Sequence, residues 1–223
     1  MSRYQFDPPP RIKTMADLDC VARTHAPTCQ AIRAAAVHES AHALAAIIFK
    51  RPSVMVILRS DGAGKTWYYP VTETVVSLYR EAVISFCGVV AEQVIQGTAK
   101  DIVSDAALSD HANAMSEVGD CAAAFMKSAP LDLREWVQTL SLKKRAALAQ
   151  RAQDKVGKDA LRTSRTLVRK YWPLIGEMAY VSLRDSKDGL HWWVGQPLDW
   201  VHQRIAEIDS DKQARKTANP RPN

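Results

Sequence analysis

Across residues 31–49 the chain has neither glycine nor proline and is dense in Ala, Val, Leu and Ile. Between Val37 and Ile48 the strongly polar side chains are His38, Glu39 and His42. This pattern predicts a core-facing helix over 27–49 that stops before Pro52. β-prone residues run from Val54 to Leu58 and again from Thr66, with Asp61-Gly62-Ala63-Gly64 between them, so 53–58 and 66–71 read as a hairpin. Val76, Tyr79, Val83, Phe86, Cys87, Val90, Val94 and Ile95 recur at helical spacing over 73–96, and Gly97 supplies the stop. A third helix is expected over 109–129, ended by Pro130. Two basic helices follow over 132–156 and 159–183, the second kinked at Pro173. Residues 189–195 read as a turn-rich link and 197–208 as a short last helix. The fold class is therefore mainly α-helical with a small β-hairpin. A core over 29–130 carries a C-terminal helical region, 131–208, that packs on it or extends it. Pro8-Pro9-Pro10 and Pro27 predict an irregular lead-in over 1–28, and the polar stretch 209–223 a disordered tail.

Composition narrows the class without naming a chemistry. At 223 residues, 47% hydrophobic and 24% charged, the chain suits one well-filled core. No apolar stretch approaches the ~20 residues of a membrane helix, and residues 1–10 lack the basic-then-apolar order of a secretory signal. A cytoplasmic protein with no membrane partner is the expectation. Cys20, Cys29, Cys87 and Cys121 form no Cys-x-x-Cys pair and read as free thiols. The net charge of +6 is concentrated between Lys143 and Lys170, where ten Lys and Arg face only Asp154 and Asp159. That stretch is expected to be a solvated helix face, with nucleic acid as the partner it leaves open. Gly64-Lys65-Thr66 is no phosphate loop, because Arg59 stands where such a loop needs its first glycine.

His38-Glu39-Ser40-Ala41-His42 is the chemistry-bearing motif. A four-residue spacing on a helix brings both imidazoles to one face, one turn apart, which is the H-E-x-x-H zinc pattern. Ionisable groups on an otherwise apolar helix are costly to bury alone, and a metal is an effective partner. His38 and His42 are the candidate ligands and Glu39 the candidate general base. A third ligand must come from Glu73, Glu81, Glu92, Asp101, Asp105, Asp110, His111 or His191. Of these, Asp105 and Asp110 stand out, each in a Ser-Asp pair near a helix start, where the alternative role is capping. Two histidines and a carboxylate would also suit iron or cobalt; zinc is the expected metal from motif and ligand type.

The order of parts resembles the peptidase domain of the FtsH family of zinc metalloproteases. The resemblance rests on Val37-His38-Glu39-Ser40-Ala41-His42-Ala43-Leu44-Ala45, on the hairpin after it, and on the run Gly88 to Gly97 with its Ala91-Glu92 pair. It rests also on Asp110-His111-Ala112-Asn113-Ala114, which fits the family's Asp-x-x-x-Ala. It covers residues 31–130 and extends weakly to 206. The resemblance implies a zincin-like helical domain holding Zn²⁺ through His38, His42 and Asp110, with Asp105 the alternative ligand, Ser109 occupying the alanine place that Asp105 would require. It also implies catalysis by Glu39, a supporting role for Glu92 beside a ligand, and a peptide or unfolded-protein substrate. Neither an ATPase module nor a membrane anchor is read ahead of the motif, so the family's substrate-pulling ring is not implied, and no oligomeric state follows. The competing expectation is a non-catalytic, metal-stabilised helical protein that binds an acidic partner or nucleic acid through its basic C-terminal helices.

Overall fold

The computed structural model describes residue 11 and residues 30–59, 63–69, 71, 74–97, 104–184, 186–187, 190–194 and 198–218. The expected lead-in over 1–28, Arg11 apart, lies outside them. The glycine-free apolar run forms helix α1, Gln30–Ile48. Ala36, Val37, Ala43, Ala45 and Ala46 are all at most 1% exposed, so the helix is wrapped rather than laid on a surface. Its small side chains let neighbours approach closely, and it touches two helices and two strands at once.

After α1 come strands β1, Met55–Arg59, and β2, Gly64–Trp67, which pair antiparallel with Val56 opposite Thr66 and Leu58 opposite Gly64. The hairpin is present, but its second strand begins two residues before the expected Thr66. Helix α2, Val75–Gln96, opens on a capping box between Thr74 and Ser77 and closes on Gly97, whose φ of 67° is the left-handed conformation that glycine adopts without strain. Helix α3, Asp105–Ser128, is capped by Ser104, whose Oγ accepts the Ala107 N–H at 3.0 Å. It therefore starts four residues before the expected 109. The largest share of the core comes from α1 and α2, packed on each other, with Ala114 and Val118 added by α3 and a further set by residues 174–183.

The C-terminal region departs further from expectation. Helix α4, Leu131–Thr139, is short, and α5, Leu142–Lys170, runs unbroken through Val156–Asp159 where two helices were expected. Gly157 causes no break because the second half of α5 is packed, with Ala160, Ser164 and Val168 buried and Ser164 Oγ donating to Val83 O of α2 at 2.9 Å. Pro173 does not kink a helix. It sits in the first turn of α6, Trp172–Arg184, where its missing N–H is no loss, and the chain breaks before it at Tyr171.

The turn-rich link expected over 189–195 is corrected as well. Leu190–Val194 is strand β4, antiparallel to β1, and Ser186–Lys187 is strand β3 beside it, giving the order β2-β1-β4-β3. The hairpin is thus half of a four-stranded sheet with β2 at its edge. Helix α7, Leu198–Ala218, replaces both the short helix ending at 208 and a disordered tail from 209; no glycine or proline interrupts it before Pro220. Residues 219–223 lie outside the described residues.

Arg204 anchors α7 to α6, donating through Nε and Nη2 to both oxygens of Glu177, which is 1% exposed, at 3.0 and 2.8 Å. Lys170 and Tyr171 both reach Asp209. Arg204→Ala leaves a buried carboxylate without its partner and is expected to cost about 3 kcal/mol in urea unfolding. Replacing Glu177 and Arg204 together by leucine should cost much less, because no charge then stays buried alone. Among the described residues no helix is long and apolar enough to cross a membrane.

Candidate metal centre

Helix α1 presents His38 and His42 from one face, and the second turn of α3 presents Asp110 against them. His38 Nε2 is 2.6 Å from Asp110 Oδ2, His42 Nε2 is 3.0 Å from the same oxygen, and the two Nε2 atoms are 3.0 Å apart. Among the described residues these three form a group with one ligand atom each within 4.8 Å. Asp105, the alternative third ligand, is not in it. As the first residue of α3 it is exposed, in the turn where the helix dipole favours an acidic residue. Glu81 is engaged by Arg51 and Tyr68, at 2.6 Å each, and the His111 ring stacks edge-on against Phe86. Glu73 and Asp101 lie outside the described residues, and His191 is known only as part of β4.

The outer nitrogens of both rings are also spoken for. His42 Nδ1 donates to the Ile84 carbonyl at 2.8 Å, since a carbonyl can only accept, and its neutral form then turns a lone pair on Nε2 inward. His38 Nδ1 lies 3.2 Å from Glu92 Oε2, near enough for an ion pair though off the line of a good hydrogen bond. A proton at that nitrogen likewise leaves the Nε2 lone pair facing Asp110. Glu92 therefore stands behind His38, where a carboxylate orients a metal-binding imidazole. In these tautomers three acceptors converge with no hydrogen between them. A divalent cation resolves that arrangement, so the donor set fits a zinc ion.

With no metal bound, a proton on His38 takes the cation's place between the ring and Asp110. Burial alone pushes the His38 imidazole down, but the hydrogen bond to Asp110, the nearby Glu92 carboxylate and the charge of Glu39 outweigh it and hold its pKa at about 10. Burial would raise Asp110, yet both imidazoles hold it below the ordinary carboxylate range; Glu92 is likewise lowered by His38 and Ser104 against the effect of burial. The site favours positive charge at its centre.

Two glycines shape the space. A Cβ on Gly88 of α2 would stand 2.2 Å from His42 Nε2 and 2.8 Å from His38 Nε2, so only a glycine lets α2 pass this close to the two inward nitrogens. A Cβ on Gly64 would stand 2.5 Å from Glu39 Cγ, so β2 crosses directly over that carboxyl. Glu39 is 5% exposed, and Thr66 Oγ1 lies 2.7 Å from its Oε2 and 2.9 Å from its backbone oxygen. Two cavities flank it. One of about 320 Å³ is lined by His42, Thr66, Tyr68 and Asp110, and the other of about 450 Å³ by His38, Glu92, Ile95 and Ala34. Glu39 and Gly64 line both.

Sequence reasoning missed three contributors. In the sequence Gly64 and Thr66 belong to a hairpin and to a rejected phosphate loop, and their role beside Glu39 becomes visible once β2 is known to lie on α1. Ser104 was read only as the neighbour of Asp105, yet its one hydroxyl accepts the Ala107 N–H and donates to Glu92 Oε2 at 2.9 Å. It thereby ties the start of the Asp110 helix to the residue behind His38. No protein-family model matches the chain, and no curated protein matches it.

Proposed function

We propose that this chain is a zinc-dependent peptidase with the helical, zincin-like design of the FtsH peptidase domain, acting on peptides or unfolded protein. The observation that carries the reading is the convergence of His38, His42 and Asp110 around the notch left by Gly88, with Glu39 between two cavities. Zinc bound by those three side chains supplies Lewis acidity, polarising a carbonyl and making a water acidic near neutral pH.

The other steps belong to the protein. Glu39, one residue on from a ligand, is the base that takes the proton from the attacking water and returns it to the departing amine. Thr66 holds that carboxyl in one rotamer. Glu92 and the Ile84 carbonyl hold the two imidazoles so that the ligand nitrogens face inward. β2 is at the edge of its sheet and runs over Glu39, so an extended substrate that pairs with Gly64–Trp67 lies along both cavities.

The reading is tested by chelation. Hydrolysis of a reduced, unfolded polypeptide should disappear on treatment with 1,10-phenanthroline and return on addition of one equivalent of zinc. Activity that persists through complete metal removal would contradict it.

A further inference from the structure

Helix α5 buries one side, through Ala160, Ser164 and Val168, and shows solvent another. On that other side stand Lys144, Arg151, Lys155, Lys158, Arg162, Arg165 and Arg169, separated by 7, 4, 3, 4, 3 and 4 residues. At ~100° per residue this spacing confines all seven to an arc of about 80°, and from Arg151 to Arg169 the row is about 27 Å long. Arg165 is half-buried and the other six are exposed. Among the described residues only Arg162 meets a carboxylate, that of Asp159 at 3.0 Å. Asp154, the other acid of this helix, takes its hydrogen bond from Gln150.

A solvated helix face ordinarily mixes signs at i, i+3 and i+4, where opposite charges attract and like charges repel. Here six cations from Arg151 to Arg169 follow one another in five i+3 or i+4 steps, with Asp154 and Asp159 the only acids beside them at those spacings. Such a row is costly alone and favourable beside a polyanion. It is one side chain wide, so it complements a line of charge. Between Lys144 and Arg169 the exposed residues are Lys, Arg, Ala, Gln, Asp and Thr. No large apolar side chain flanks the row to enter a lipid surface, and no aromatic offers a stacking platform for unpaired bases. The exposed Leu142, at the start of α5, lies about 160° around the helix from Lys144, and the exposed Leu131, Leu133 and Trp136 belong to α4.

We propose that α5 binds the phosphate backbone of a nucleic-acid duplex through this row, without reading sequence. The inference does not depend on the metal centre. It is tested by fluorescence anisotropy of the full chain with labelled duplexes of about 24 base pairs, DNA and RNA, between 50 and 200 mM salt. Neutralising about five phosphates predicts that affinity falls roughly 500-fold over that range. The triple variant R151Q/K155Q/K158Q should flatten the log–log salt slope by about 3. K50Q/K127Q/R134Q, which removes the same charge away from the row, should leave the slope unchanged. Absence of duplex binding at 50 mM salt, equal loss in the two triple variants, or binding to phosphatidylserine vesicles but not to duplex would overturn the proposal.

Discussion

Glu39→Gln is expected to retain the metal and to lose hydrolysis by at least about 100-fold, the lower end of what a positioned general base contributes. The substitution keeps the shape of a side chain that is 5% exposed and fixed by Thr66, so α1 and its two imidazoles need not move. What changes is that an amide cannot accept the proton of the attacking water. The outcome is read as turnover per bound metal, so that a variant which has merely lost zinc is recognised. A Glu39→Gln protein with full metal and near-normal turnover would remove Glu39 from the chemistry.

Gly88→Ala should be the most damaging change at a residue that is not itself a ligand. The added methyl would lie 2.2 Å from His42 Nε2 and 2.6 Å from its Cε1, and helix backbone cannot retreat as a flexible side chain can. His42 has to swing away, giving up the 2.8 Å hydrogen bond from Nδ1 to Ile84 O. Metal affinity should fall by about 100-fold or more, the upper range for loss of the contacts that orient a ligand. Helical secondary structure should survive, because alanine is the better helix former by ~1 kcal/mol. Gly157→Ala makes the contrast. Its nearest contact would be Val118 at 3.7 Å, an ordinary van der Waals distance, so it should keep the metal and stabilise α5. Competition of each variant with a chromogenic zinc chelator checks both expectations.

The motif and its helix were legible because they are local: a glycine-free apolar run and a four-residue spacing need no tertiary information. Asp110 emerged from the resemblance, while the spacing alone left Asp105 beside it. What separates them is the start of α3. Ser104 rather than either aspartate takes the cap, which puts Asp105 in the first turn facing solvent and Asp110 one turn later facing the histidines. Strand β4 was missed because its partner β1 lies more than a hundred residues away and glycines bracket it, so local signals favoured a turn. Composition misled at the C-terminus, where polar residues 209–218 were read as disorder although they continue a helix anchored by the Glu177–Arg204 pair and by Asp209. Gly64 and Gly88 carry no side chain to read. Their importance lies in what would collide with one.

The measurement that bears most directly on the metal centre is metal content by mass spectrometry on the purified protein, wild type beside His42→Ala, Asp110→Ala and Asp105→Ala. About one equivalent of zinc in wild type and in Asp105→Ala, lost in His42→Ala and in Asp110→Ala, is the predicted result. Wild-type protein that takes up no metal after incubation with zinc, or retention of zinc in both His42→Ala and Asp110→Ala, would contradict the assignment of this site.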